Sequence, residues 1–178
     1  VYPMFESLDV RPILRLREAV LRRPRFVADA HLGRLARYLR MLGFDTLYEN
    51  AAPDRQLVGI SRTERRVLLT RDRNLLMHRE LTHGVFVRGD RPRDQLRHVV
   101  ERLDLRSDCL PFSRCMNCNA ALEEIDRSAV IGEVPPTVER TQRHFRRCTG
   151  CRHVYWRGTH YERMLKLVNS VLEGCGRS

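Results

Sequence analysis

The chain has 178 residues, 42% of them hydrophobic and 31% charged, and its 33 Lys and Arg against 22 Asp and Glu give a formal charge of +11. That length and apolar content suffice for one sizeable core and a small satellite unit, while no run approaches the ~18 continuous apolar residues of a membrane-spanning helix. The positive excess argues for a polyanionic partner, nucleic acid above all, because arginine-rich surfaces gain affinity by displacing phosphate counterions. Every basic residue except Lys166 is arginine, a bias that genome composition and selection for bidentate phosphate contacts both produce. The first residues lack the basic-then-apolar order of an export signal, so the expected compartment is cytoplasmic and reducing.

Residues 1–24, punctuated by Pro3, Pro12 and Pro24, form no clear helix and read as the tail of an upstream unit or a linker. From Arg25 the pattern becomes regular. Phe26-Val27-Ala28 is a short apolar strand ended by Asp29, and Leu32, Leu35, Ala36, Leu39 and Leu42 recur at helical spacing until Gly43 stops the helix. Asp45 to Tyr48 reads as a second strand, Pro53 to Arg65 as a helix, and Val67 to Thr70 as a buried third strand followed at once by Asp72. A short helical piece around Asn74 to His78, a strand over Val85 to Val87 and a helix from Arg93 to Leu103 complete residues 25–108. This alternation predicts an α/β unit, a mainly parallel sheet flanked by helices, with ligands beyond the carboxyl ends of the strands.

Residues 109–178 break the alternation. Cys115-Met-Asn-Cys118 and Cys148-Thr-Gly-Cys151 are two C-x-x-C knuckles separated by 29 residues. Each knuckle aims two sulfurs from one tight turn at one ion, so together they predict a closed, structural four-cysteine zinc site. His144, His153 and His160 are second-choice ligands, and Cys109 and Cys175 read as free thiols. The segment from Pro111 to about Gly158 is read as a zinc ribbon of short hairpins, with Pro135-Pro136 as a rigid turn. Tyr161 to Leu172 is the closing amphipathic helix, striped by Met164, Leu165, Val168, Val171 and Leu172.

Because the zinc site has no open position, chemistry is sought among the acids. Asp29, Asp72 and Asp90 fall at or just past predicted strand ends, Glu49 follows the second strand, Asp54 opens the next helix, and Asp94 is a reserve. Carboxylates converging on one rim call for a cation, and hard oxygen donors suit magnesium or manganese bridging a phosphate. The chemistry implied is metal-assisted phosphodiester hydrolysis. The alternative for any single aspartate is a helix cap or turn. Arg34, Arg37 and Arg40 recur every three residues and would either grip phosphates or form a solvated face. His31 is a metal or substrate contact or a local cap. Thr70-Arg71-Asp72-Arg73 sets a hydroxyl beside an acid, with arginines facing outward to solvent or phosphate.

The strings FVADAHLGRLARYLRMLGFDT, VLLTRD, PFSRCMNCNAAL and RCTGCRHVYWRGTHYERM resemble the Mut-seven C-terminal RNase family from Arg25 to Met164. The resemblance implies a PIN-like nuclease domain with an appended zinc ribbon, and a metal-dependent ribonuclease. It marks Asp29, Asp72 and Asp90 as metal-binding acids. Asp54 and Gln56 stand at a second acidic position that is often richer in acids, with Glu49 as substitute. VYPMFESLDV resembles the end of a ubiquitin-like domain that often precedes this family. The partner expected is RNA, with tRNA and ribonucleoproteins among the candidates. The competing reading is a module that binds RNA or a ribonucleoprotein without cutting it, with Tyr155, Trp156 and Tyr161 either stacking bases or filling the ribbon core.

Overall fold

The structure, a computed structural model, describes residues 24–173. The proposed tail, apart from Pro24, and Cys175 lie outside the described residues. The chain divides into two compact units. The first ends at Cys109 and leaves out Arg40–Gly43, and the second joins Arg40–Gly43 to the chain from Leu110 onward. No helix among the described residues is long and apolar enough to cross a membrane.

The first unit is the predicted parallel sheet. Strands β1 (Phe26–Ala28), β2 (Thr46–Tyr48), β3 (Val67–Thr70) and β4 (Gly84–Phe86) run parallel in the order β2-β1-β3-β4. Between them lie α1 (Gly33–Met41), α2 (Asp54–Thr63) and α3 (Arg73–Leu76), and α4 (Pro92–Arg102) follows. The step from β1 to β2 and the step from β2 to β3 run in opposite directions along the sheet, so right-handed crossovers put α1 and α2 on opposite faces. Burial agrees with this. Val27 and Leu68, paired across β1 and β3, cluster with Leu57 and Val58 of α2 and Leu75 of α3. The alternate residues Phe26, Ala28 and Leu69 point the other way and are fully buried, like Leu35, Ala36 and Leu39 of α1. Strands buried on both faces read as continuous apolar runs, which is why they were legible in the sequence.

Two glycines are required by close approach or backbone sign. A Cβ on Gly33 would lie 2.7 Å from the Tyr48 ring, which crosses it to donate from its hydroxyl to the Ala30 carbonyl at 2.8 Å. Gly43 ends α1 at φ +95, and a Cβ there would meet the Leu110 carbonyl at 2.3 Å.

The amino ends of the strands are tied by Arg66, only 5% exposed. It forks onto Asp45 at 2.7 and 3.2 Å, donates to Glu64 at 2.7 Å and reaches the Phe26 carbonyl at 3.3 Å. Burial alone would lower its pKa, but the bonds and charges of Asp45 and Glu64 override that and raise it, so the guanidinium stays charged.

The second unit contains a three-stranded antiparallel sheet, β5 (Leu122–Ile125), β6 (Phe145–Cys148) and β7 (Val154–Trp156), and the long α6 (Thr159–Glu173). Here the sequence reading needs correction. Pro135-Pro136 is no mere turn, because Pro136 opens α5 (Pro136–Thr141), where a proline at the first helical position loses no hydrogen bond. The insert between β5 and β6 gives the ribbon its own core: Val130 and Val134 pack with Phe145 and Val154, with Trp156 against them. In α6 the buried stripe is Leu167, Val168 and Val171, while Met164, Leu165 and Leu172 are half-buried.

Replacing Asp45 by alanine leaves the buried Arg66 charge without its bidentate partner and is expected to cost ~2–3 kcal/mol, measured by urea unfolding, with Asp45→Asn recovering part of the loss.

Candidate active site and metal centre

The four knuckle cysteines converge. Their sulfurs all lie within 4.8 Å of one another, with Cys115 to Cys151 at 3.6 Å and Cys118 to Cys148 at 3.2 Å. A tetrahedron with Zn–S bonds of ~2.3 Å sets sulfurs about 3.8 Å apart, so the cluster matches a zinc shell, and 3.2 Å far exceeds the ~2.05 Å of a disulfide. The knuckles also match in backbone. In each, the amide of the second cysteine points at the sulfur of the first, Cys118 to Cys115 at 3.5 Å and Cys151 to Cys148 at 3.4 Å. The residue after each pair, Asn119 at φ 73 and Arg152 at φ 63, turns left-handed to bring the chain out.

Electrostatics explains the need for a cation. Burial opposes ionisation of Cys118, yet hydrogen bonds from the Ala120 amide and the Cys148 and Cys151 thiols override it and bring its pKa to about 6. Burial and donation to Cys118 push Cys148 up to about 12. The two sulfurs are thus pushed in opposite directions. A divalent ion allows all four to be thiolates. Sequence reasoning named Tyr155 as a stacking or core aromatic but missed its place at the metal centre, where its hydroxyl lies 3.1 Å from Cys115 Sγ and burial raises its pKa.

The acids occupy the opposite end of the sheet from Arg66. The strand order reverses between β1 and β3, and a parallel sheet binds ligands at that point, beyond the carboxyl ends. Asp29 and Asp72 leave the sheet there. The Thr70 hydroxyl joins them, donating to Asp29 Oδ2 at 2.8 Å and accepting the Asp72 amide at 2.9 Å. Thr70 is fully buried, so its side chain has no surface with which to touch a nucleic-acid strand and instead holds the Asp29 carboxylate and the Asp72 backbone. Both aspartates also cap the helical turns that follow, Asp29 through the Ala30 amide and Asp72 through the Asn74 amide at 2.8 Å. The capping reading and the site reading therefore hold the same residues. Oδ2 of Asp72 accepts no hydrogen bond within the described residues.

The remaining candidates are more dispersed. Asp90 is 94% exposed and pairs with Arg71 at 2.9 Å. Glu49 accepts from Gln56 at 3.3 Å, Asp54 begins α2, and Arg73 sits 5.4 Å over the Phe86 ring. Arg34, Arg37, His31 and Asp94 are exposed. Among the described residues, only the four cysteines form a group of three or more His, Cys, Asp or Glu with ligand atoms that close. Arg40 departs from the phosphate-gripping alternative: it is 6% exposed and donates to the Met116 and Asn117 carbonyls at 3.1 and 2.7 Å, bracing the first knuckle.

A family model described as the Mut7-C RNAse domain matches residues 24–168. The chain belongs to the Mut7-C RNAse domain family. No curated protein and no solved structure matches it. Membership ties this Mut7-C chain to nuclease or RNA-related function, and the match runs through both the acid rim and the cysteine cluster.

Elemental analysis of the purified Mut7-C chain is expected to find one equivalent of zinc, released on acidification as the thiolates take up protons. Cys118→Ser should hold far less and lose the cooperative unfolding of the ribbon.

Proposed function

We propose that this protein is a divalent-metal-dependent ribonuclease that hydrolyses RNA phosphodiester bonds, with the zinc ribbon aiding RNA binding. The observation that carries the reading is the Thr70 clasp, which joins Asp29 and Asp72 at the switch point of a sheet belonging to the Mut7-C RNAse family.

The donor set suits magnesium or manganese. Such ions are held by one or two carboxylates together with water and substrate phosphate, so a pair of acids suffices and a dense cluster is not required. Asp29 and Asp72 are the principal ligands in this reading, Asp90 the third, and Glu49 and Asp54 the outer acids. When bound, the metal activates water and neutralises charge on the leaving oxygen. The chain itself orients and attracts. Thr70 fixes the Asp29 carboxylate by donating to one of its oxygens, and the caps at Ala30 and Asn74 hold each carboxylate against rotation. Arg71, kept at the rim by Asp90, and the exposed Arg34 and Arg37 draw the phosphate backbone toward acids that would otherwise repel it. The substrate class is RNA, with tRNA and ribonucleoproteins as candidate forms, and the compartment is cytoplasmic.

One observation favours the second reading, an RNA-binding module without catalysis. Asp29 and Asp72 each have a complete structural role as caps, which would keep them in a chain that cuts nothing.

Labelled RNA incubated with the full chain in manganese or magnesium should be cut, and chelator should stop the reaction. Asp72→Asn is expected to abolish cutting while RNA is still retained. Thr70→Val, which keeps the shape but not the hydroxyl, should slow cutting about 10–100-fold. Equal cutting by wild type and Asp72→Asn would overturn the assignment.

A further inference from the structure

The second unit contains a cleft of about 710 Å³ formed by the β5–β7 sheet, the Phe112 loop and the start of α6. This is the size of sites that hold nucleotide-scale ligands. Its walls are aromatic. Phe112, Tyr155, Trp156 and Tyr161 all line it, and the Phe112 and Tyr161 rings lie 4.6 Å apart, tilted by 42°. Phe112 takes φ 59, a strained conformation for a bulky residue that folds retain chiefly where a function requires it.

The charges at the cleft differ in their commitments. Arg114 donates to the Asn119 carbonyl at 2.8 Å, and Arg146 donates to the Phe112 carbonyl at 2.8 Å and pairs with Glu124 at 3.0 Å. Arg143 and Arg157 are exposed, and neither forms an ion pair or hydrogen bond within the described residues. Arg157 lies 5.9 Å from the Tyr161 ring centroid. Against these arginines the cleft carries the carboxylates of Glu124 and Asp126.

Flat aromatic walls, uncommitted guanidiniums and exposed carboxylates favour one kind of occupant. A base offers a face to stack on rings, amino groups to donate to carboxylates, and a phosphate for arginine. An acidic peptide would satisfy the arginines but meet Glu124 and Asp126 with like charge. A duplex keeps its bases stacked on one another and cannot supply a face. We propose that the ribbon cleft is a subsite for one unstacked nucleotide of single-stranded RNA, its base against Tyr161 and Trp156 and its phosphate on Arg143 and Arg157. The inference rests on the RNA reading above but not on cleavage. It also gives the zinc a second consequence, because Tyr155 lines the cleft while its hydroxyl meets Cys115 Sγ.

Trp156 is the only tryptophan of the chain, so its fluorescence reports on the cleft. Single-stranded oligouridylate is titrated into the full chain carrying Asp72→Asn, in zinc-containing buffer, with a self-complementary RNA duplex and polyglutamate as comparison probes. The expected result is a saturable fluorescence change with the single strand and little with the other two. Arg143→Ala combined with Arg157→Ala, both exposed positions, should raise the dissociation constant about ten-fold at unchanged melting temperature, and Tyr161→Ala by a similar factor. Equal affinity for the duplex, a matching response to polyglutamate, or variants that bind like the parent would each overturn the subsite. If the wild-type chain cuts no RNA while the arginine-dependent fluorescence response persists, the nuclease reading falls and the subsite stands. Cutting without that response removes the subsite alone.

Discussion

Four cysteine sulfurs within 4.8 Å of one another cannot all ionise without a cation among them, and the second unit is arranged around that constraint. The knuckle amides, the left-handed turns at Asn119 and Arg152 and the Arg40 contacts to Met116 and Asn117 all orient the loops toward one point. Hydrogen bonds pull the Cys118 thiol toward ionisation while burial and donation to Cys118 push Cys148 the other way, a division that a shared cation removes. The ribbon's small core around Phe145 and Val154 is the other half of its stability, and neither half is large.

The first unit places its charged groups at the two ends of one sheet. Asp29 and Asp72 meet at the switch point through a neutral hydroxyl, which donates to the Asp29 carboxylate and accepts the Asp72 amide, and each caps the turn that follows it. At the far end of the same strands a buried arginine is enclosed by Asp45 and Glu64. The sheet thus separates a buried arginine enclosed by two carboxylates from a rim where Asp29 and Asp72 meet no arginine in the bonds described. That asymmetry, more than the number of acids, is what the proposed reading of the carboxyl end rests on.

Much of this was legible in the sequence because buried parallel strands are short apolar runs, and all four strands fall within a residue of where such runs predict them. The cysteines were legible because knuckle spacing follows from the geometry of a metal. What escaped is non-local. Arg40 continues the three-residue spacing of Arg34 and Arg37, yet it is buried against carbonyls 76 and 77 residues away, a contact that no helical wheel encodes. Tyr155 reads as one of three ribbon aromatics, and its bond to Cys115 depends on a partner 40 residues distant. Pro135-Pro136 was ambiguous for a local reason, since the fixed φ of proline suits a turn and a first helical turn alike.

The charge of +11 acquires meaning from how the arginines are used. Arg66 and Arg40 are consumed inside the fold, and Arg146 and Arg147 brace the ribbon through Glu124, Glu133 and backbone carbonyls. Those paired with carboxylates have their charge offset at a distance, and Arg40 spends its donors on carbonyls. Many other arginines are exposed, and among them Arg71 stands at the acid rim and Arg143 and Arg157 line the ribbon cleft. In a polyanion-binding surface, net charge sets the rate of encounter, while the geometry of the few uncommitted guanidiniums decides where the chain is held. Arg71 stands beside Asp90 in the first unit, and in the second Arg143 and Arg157 line an aromatic cleft, so each unit by itself offers a guanidinium to phosphate.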